Sequence, residues 1–395
     1  MLATFQLLVI TAFAASLLYW TLPAAWVEGR RAVLLATSGT LIWIYSPATL
    51  ILAVATALFA WALYFLTRRY PRFGWLPWLV VLPLVLDAVH PLGGLVAFAL
   101  PTGSSRSAVF TSIATLGMSF YVFKLYVSIK QGLKLGALPF REVLTTTLFY
   151  PAFPMGPIDA SQKFDHAALS RDPDIRRWTM GIARIGMGAV KAYIIGGWIK
   201  GPGAEHVLGM PLGQVVAHGW SGPVEALAFA FLSFGYLYAN FSGFTDVAIG
   251  AGWMFNLDLT ENFRFPLIAH SIQNFWQRWH LSLSKFITAY MFKPMLRRTG
   301  RTALSLVVTF TLIGLWHRTS VGYLLWGVGH GSALAITAWY RTLRRPPIPM
   351  PYVVRRLGGI VITLTFVAVM STIANQPSGH DVLRYIAAFA GVRIA

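Results

Sequence analysis

Long apolar runs separated by short, often basic turns set the pattern of this chain. The runs are Thr4 to Leu22, Ala32 to Leu66, Trp75 to Leu100, Ser107 to Ile129, Trp178 to Ile199 and Pro223 to Phe255. Ala303 to Trp316, Val321 to Tyr340 and Leu357 to Ile373 follow. A helix rises 1.5 Å per residue, so runs of about 20 apolar residues predict helices that cross a bilayer. Ser46-Pro47 divides Ala32 to Leu66 into two such spans. The pattern therefore predicts an all-α, polytopic integral membrane protein with roughly ten or more transmembrane helices. No basic leader precedes Thr4 to Leu22, which reads as a retained first span rather than a signal peptide.

Two segments depart from that pattern. Phe149 to Phe164 (FYPAFPMGPIDASQKF) carries Pro151, Pro154, Gly156 and Pro157, so no continuous helix fits it. It is too apolar for a solvated loop, and a re-entrant or interfacial segment lining a cavity satisfies both facts. Ser271 to Phe292 is too polar for a lipid-facing span, with Gln273, Asn274, Gln277, Arg278, His280 and Ser282. It is also too aromatic for a solvated helix, with Phe275, Trp276, Trp279, Phe286 and Tyr290. On one continuous helix Trp276, His280 and Ser284 share a face, and Asn274, Arg278 and Ser282 share another. The tract reads as a helix buried in protein at the membrane boundary.

Composition agrees. The 395 residues are 56% hydrophobic and only 11% charged, against about a quarter charged in soluble domains. The net charge of +19 does not point to nucleic acid. Its cations cluster between apolar runs: Arg30/Arg31, Arg68/Arg69/Arg72, Lys130/Lys134/Arg141, Arg176/Arg177, Arg297/Arg298/Arg301, and Arg341/Arg344/Arg345 with Arg355/Arg356. Short basic loops mark the cytoplasmic side, and the parity of spans between them is consistent with an outside N-terminus. The pattern of basic loops weakens between Gly201 and Leu259. No linker divides the chain. It reads as one membrane domain, 1–395, with N-terminal spans at 1–129, a catalytic core at 141–340, and a C-terminal span and tail at 341–395. Without cysteine, disulfides, thiol catalysis and thiolate metal sites are excluded.

The chemical candidates are few. His330 lies about ten residues from either end of Val321 to Tyr340, roughly 15 Å deep in the hydrocarbon layer. An ionisable group at that depth is costly and marks function. His280 lies in the polar–aromatic tract NFWQRWHLSLSKF. A metal held by the two histidines would need further ligands, and only Asp246, Asp258 and Glu261 are near in sequence. A neutral imidazole that takes a proton from an alcohol matches better, and burial keeps it neutral. Asp87 and His90 adjoin a Pro-Gly-Gly break and read as a pair satisfying a bent span. His317 reads as interfacial, and His166, His206, His218, His270 and His380 as structural.

These residues carry a resemblance. Phe241 to Ile287 (FSGFTDVAIGAGWMFNLDLTENFRFPLIAHSIQNFWQRWHLSLSKFI), then GLWHR and YLLWGVGHG (Tyr323 to Gly331), resemble the membrane-bound O-acyltransferase (MBOAT) family. The similarity is to the bacterial branch that acylates exported polysaccharides and cell-wall polymers. GMSFYVFKLY (Gly117 to Tyr126), the Pro-rich segment Phe149 to Ile158 and IARIGMGAVKAYI (Ile182 to Ile194) resemble further segments of that branch. The combined RWHxSLS and WGxxHG pattern is specific, whereas each piece alone is weak. Two departures stand out: MFKPMLRRTGR (Met291 to Arg301) replaces a Gly-Gly-Asn segment, and Arg318 follows His317 where the family often has Gly.

The resemblance implies transfer of an acyl group, acetyl first, from a thioester donor to a hydroxyl inside a membrane tunnel. His330 would accept the hydroxyl proton, and His280 would orient the donor or stabilise the oxyanion. Trp276, Arg278, Asn274 and Ser282 would support the pocket, and Asp246 would orient it. The donor would be acetyl-CoA or an acyl carrier protein, with no bound cofactor or metal. Implied partners are the bilayer of a bacterial inner membrane, a periplasmic acetyltransferase and a polysaccharide synthase. Acylation of a lipid or small amphiphile by the same site is one alternative. A proton-coupled transporter with a histidine relay is another, although the repeated halves such transporters favour are absent from the sequence.

Overall fold

Ser46-Pro47 breaks the long apolar run as the sequence predicts. Helix α2 (Val27–Tyr45) ends there and α3 (Pro47–Arg69) begins, with Ser46 Oγ accepting the Thr49 N–H at 3.1 Å. This is a serine N-cap followed by proline at the first helical position, both favoured at a helix start. The computed structural model describes residues 2–84, 107–159, 166–220, 222–343 and 351–392. Among them every regular element is helical. Asp87, His90, Arg344 and Arg345, with the end of the Pro-rich segment at 160–164, lie outside the described residues.

Pro47–Arg69, Ile175–Leu208, Pro223–Met254 and Tyr352–Ala374 are long and apolar enough to cross a membrane. Gln6–Thr21 and Thr302–His317 are shorter apolar helices. Val321–Thr342 is as long, but its glycines, Ser332 and His330 dilute its apolar content. The described residues thus give four such helices, fewer than the roughly ten or more that apolar runs alone predict.

The chain forms two compact units, Met1–Ala189 with Phe244–Glu261, and Val190–Gly243 with Asn262–Ala395. The first contains α1 (Leu2–Thr21), α2, α3, α4 (Ser107–Leu135), α5 (Phe140–Leu148) and α6 (Ile175–Ala189). Helix α7 (Pro223–Met254) supplies residues to both units. In the first unit Arg30 and Arg31 are not loop cations but buried on α2. Arg30 donates to the main-chain oxygens of Leu22, Leu169 and Arg171 at 2.6–3.1 Å. It satisfies carbonyls that helix ends and turns leave without partners.

The Pro-rich segment is broken and buried, as its composition requires. Helix α5 stops at Phe149, a short 3-10 turn covers Tyr150–Ala152, and Gly156 to Asp159 run without helix. Lys124 Nζ donates to the Ala152 carbonyl at 3.0 Å, and Asp159 accepts from the N–H and hydroxyl of Thr260. Helix α6 crosses the end of α7 at two glycines. A Cβ on Gly181 would lie 2.5 Å from the Gly250 carbonyl oxygen, so only glycine permits this approach.

The second unit is built on the same device. Helices α10 (Thr302–His317), α11 (Val321–Thr342) and α12 (Tyr352–Ala374) pack through glycine, and α13 (Gly379–Phe389) follows. Between α7 and α10 lie α8 (Ile272–Trp276) and α9 (Leu281–Ile287). A Cβ on Gly314 would lie 2.2 Å from the Tyr323 oxygen, and one on Gly327 2.5 Å from the Phe310 oxygen. One on Gly331 would lie 2.6 Å from Val307 Cα, and one on Gly322 2.3 Å from the Ile373 oxygen. Small residues let helix backbones meet where lipid offers no hydrophobic drive to association. Gly327 and Gly331 flank His330, so backbone contact fixes the height of that imidazole.

Candidate active site

The tract Ser271 to Phe292 is two short helices rather than one. Ser271 Oγ caps α8 by accepting the Asn274 N–H at 3.2 Å. Its last residue is Trp276, and α9 restarts at Leu281. His280, between them, has φ of 41°, a left-handed conformation rare for a side chain of this size. Such backbone costs about 1–3 kcal/mol and persists only where its surroundings fix it. Asn262 does so. Its carbonyl accepts the Leu281 N–H at 2.9 Å, and its Oδ1 accepts the Ser282 N–H at 3.3 Å and hydroxyl at 2.6 Å. The break overturns the expected sharing of helix faces, yet it turns His280 inward.

His280 and His330 line one cavity of about 210 Å³ within the second unit. Phe234, Phe241, Phe275, Trp279, Trp326 and Leu283 complete most of its wall, and among the described residues no charged side chain lines it. His330 is fully buried and His280 is 5% exposed. The Trp276 indole N–H donates to His330 Nδ1 at 3.2 Å. An indole can only donate, so Nδ1 is the acceptor and a neutral His330 carries its proton on Nε2. Trp326 and Phe366 lie 4.6 and 5.1 Å from the ring, centroid to centroid. Phe241 meets His280 edge-on at 4.8 Å.

His317 lines the same cavity. It closes α10 at the exposed end, stacked on Tyr323 at 5.6 Å. The Tyr323 hydroxyl in turn donates to Asn375 Oδ1 at 3.3 Å. His317, Tyr323 and Asn375 form the mouth and His330 with Trp276 the floor. The sequence placed His317 only at an interface, because its nearness to the other two histidines depends on the α10–α11 hairpin. Asn262 gave no signal beyond its place before FRF. Among the described residues, no three His, Asp or Glu side chains converge as a metal site would need.

The other expected site residues lie apart from the cavity wall. Arg278 Nε donates to Asn274 Oδ1 at 3.0 Å and its Nη1 to the Arg264 carbonyl at 2.9 Å. Asn274 also meets His270 Nδ1 at 3.2 Å. Arg341 donates to Gln273 Oε1, and α12 approaches His270 at Gly359. Partial desolvation, then the nearby Arg356 and Arg278, hold the His270 imidazole below its ordinary pKa. Arg264, Arg278, Arg341 and Arg356 thus gather at the end of the unit opposite the mouth, and among the described residues no carboxylate pairs with them. Ser282 serves Asn262, as above. Asp246 belongs to the first unit, where Arg184 donates to it at 2.9 and 3.1 Å and also pairs with Glu261.

Fold and site together define a helical membrane protein that buries an imidazole pair in a small, uncharged cavity. The model of the MBOAT, membrane-bound O-acyltransferase family, matches residues 102–375, which include both histidines. The chain belongs to this family. It is 32% identical over 231 residues to the probable alginate O-acetylase AlgI of Azotobacter vinelandii, covering 56% of this chain and 44% of that one. It is 27% identical over 269 residues to the teichoic acid D-alanyltransferase of Bacillus subtilis, covering 63% and 64%. With the peptidoglycan O-acetyltransferase of Helicobacter pylori it shares 33% over 165 residues, covering 40% and 31%. The chain spans less than half the length of the alginate relatives it matches.

Proposed function

We propose that this protein is an O-acyltransferase of a bacterial inner membrane. It moves a short acyl group, acetyl first, from a thioester donor to a hydroxyl of an exported polymer or a periplasmic partner. The observation that carries the reading is the imidazole pair on one small, apolar-walled cavity. The relatives' names support the acyl group and the polymeric acceptor.

The mouth of the cavity lies at the start of α11 and the end of α12. The opposite helix ends carry Arg341, Arg355 and Arg356, which mark the cytoplasmic side. The acceptor hydroxyl therefore enters from outside. The donor enters from inside, where Arg264, Arg278, Arg341 and Arg356 meet the phosphates of a phosphate-bearing thioester such as acyl-CoA or an acyl carrier protein's arm. A polysaccharide synthase supplies the polymer.

The hydrogen bond from Trp276 supports a division of labour opposite to the one the family resemblance implies. His330 presents Nε2–H to the thioester oxygen and stabilises the oxyanion. His280 takes the proton from the hydroxyl as its oxygen bonds to the acyl carbon. As the C–S bond breaks, that proton passes to the departing sulfur, so ester and free thiol form in equal number. Trp276→Phe keeps the ring but frees Nδ1. It should lower kcat about tenfold, the value of one ordinary hydrogen bond, with donor KM little changed. Full kcat in the folded variant would remove the assignment.

A volume of 210 Å³ falls below the roughly 300–1,000 Å³ of sites for larger ligands. It suits an acetyl-sized group and excludes a long chain, against acylation of the acceptor with a fatty acid. Proteoliposomes loaded with acetyl-, octanoyl- or palmitoyl-CoA and given host polymer outside provide the test. Acetyl transfer should exceed octanoyl transfer by about 10²-fold or more. Equal transfer of palmitate, or no ester from any donor, CoA- or carrier-borne, would refute the reading.

A further inference from the structure

A second cavity, of about 780 Å³, is separate from the histidine pocket. It lies in the second unit and is lined by His218, Trp220, Glu225 and Arg384, with Val207 and Val224 among its apolar wall. Helix α13 builds it. Val382, Tyr385 and Ala388 bury one face of α13, the Tyr385 hydroxyl donates to the Ala226 carbonyl at 3.2 Å, and its ring meets Trp220 at 5.0 Å. Arg384 comes from another face of α13. Its Nη2 lies 2.7 Å from where a Cβ on Gly219 would stand, and Gly219 has φ of 85°. Glycine at that turn therefore admits the guanidinium. Asp381 approaches Arg384 only at 3.7 Å and is engaged by the Ser378 hydroxyl at 2.6 Å. Trp220 is 8% exposed, and its Nε1 has no hydrogen-bond partner among the described residues.

Guanidinium, imidazole, carboxylate and indole thus surround one concavity with an apolar wall. Such a set offers donors and acceptors beside an apolar wall, and its charges of both signs do not select a polyanion. That chemistry suits a hydroxyl-rich ring with one apolar face, which is a sugar. Its concave form fits a small ligand better than a protein surface, since specific protein interfaces bury about 800 Å² on each partner.

Position connects this cavity to the reaction. Gly379 at the start of α13 lies 3.8 Å, by its would-be Cβ, from Val321 at the start of α11. The cavity is therefore at the same outer end as the mouth of the histidine pocket. Ala228 lines it and Phe234 lines the histidine pocket, six residues further along α7, or about 9 Å along the axis. We propose that the cavity binds a saccharide segment of the acceptor and delivers a neighbouring hydroxyl to the histidines. This rests on the acyl-transfer reading above.

The test uses the full chain in nanodiscs and oligosaccharides cut from the host's own exported polymer and stripped of esters. Binding is read by saturation-transfer NMR without donor, and acceptor KM with acetyl donor. Arg384→Gln and Trp220→Phe should each weaken binding and raise acceptor KM by about tenfold, with kcat at saturating acceptor retained. Val224→Trp, which obstructs the cavity from an 81% exposed position, should do the same if Arg384→Gln does not fold. Unaltered oligosaccharide binding in folded variants would overturn the proposal. So would variants that instead lose binding of a periplasmic protein. Oligosaccharide binding that depends on Arg384 in a protein with no transferase activity would uphold the cavity and sink the acyl-transfer reading.

Discussion

His330→Ala is expected to lower ester formation by about 10²–10³-fold, the usual cost of removing one oxyanion donor. The ring is fully buried, and among the described residues its one hydrogen bond is the one it accepts from Trp276. Alanine therefore removes the Nε2–H that the proposed reaction directs at the thioester oxygen and leaves the helix backbone in place. His280→Ala should cost about 10²–10⁴-fold through loss of the base. The double variant should be little worse than the poorer single one, because groups that act as a unit do not add. Release of thiol and formation of ester, followed together, check all three. Wild-type ester formation in folded His330→Ala would contradict the role given to this ring.

Gly331→Ala should produce a comparable loss by a mechanical route. The new Cβ would meet Val307 Cα at 2.6 Å and the Leu306 oxygen at 3.0 Å. Backbone cannot yield as a side-chain tip can, so α10 and α11 must separate. Overpacking of this kind costs about 1–3 kcal/mol, and a shift of His330 by about 1 Å costs about 10²-fold in rate. Thermal unfolding in detergent should fall and kcat should fall with it. Gly358→Ala, with no atom within 4 Å of its would-be Cβ, is the control that should leave both intact. Retention of both stability and rate in Gly331→Ala would show that α10 and α11 do not depend on glycine contact to hold the site.

Much of this was legible in the chain. His330 stood out because an ionisable group deep in an apolar run needs a reason. The break at Ser46-Pro47 and the broken Pro-rich segment followed from proline chemistry. What the sequence hid was set by tertiary contact. Nothing in NFWQRWHLSLSKF announces a left-handed His280, because its cap comes from Asn262, eighteen residues away. Arg30 and Arg31 looked like loop cations because sequence position cannot show a buried guanidinium serving distant carbonyls. Asp246 drew notice by motif alone, and its hydrogen bonds from Arg184 in the first unit could not be read from the sequence. The tautomer of His330 needed the Trp276 contact, which no sequence pattern announces.

If an acyl thioester reacts in the cavity shared by His280 and His330, its acyl group comes within reach of the cavity wall. The direct measurement is photo-crosslinking with a non-hydrolysable acetyl-CoA analogue that carries a diazirine at the acyl position, followed by peptide mapping. Adducts should fall on the cavity wall, at Trp276, Leu283 or Trp326, and should vanish with excess acetyl donor. Competed adducts confined to residues outside this cavity, in a protein that still forms ester, would contradict it.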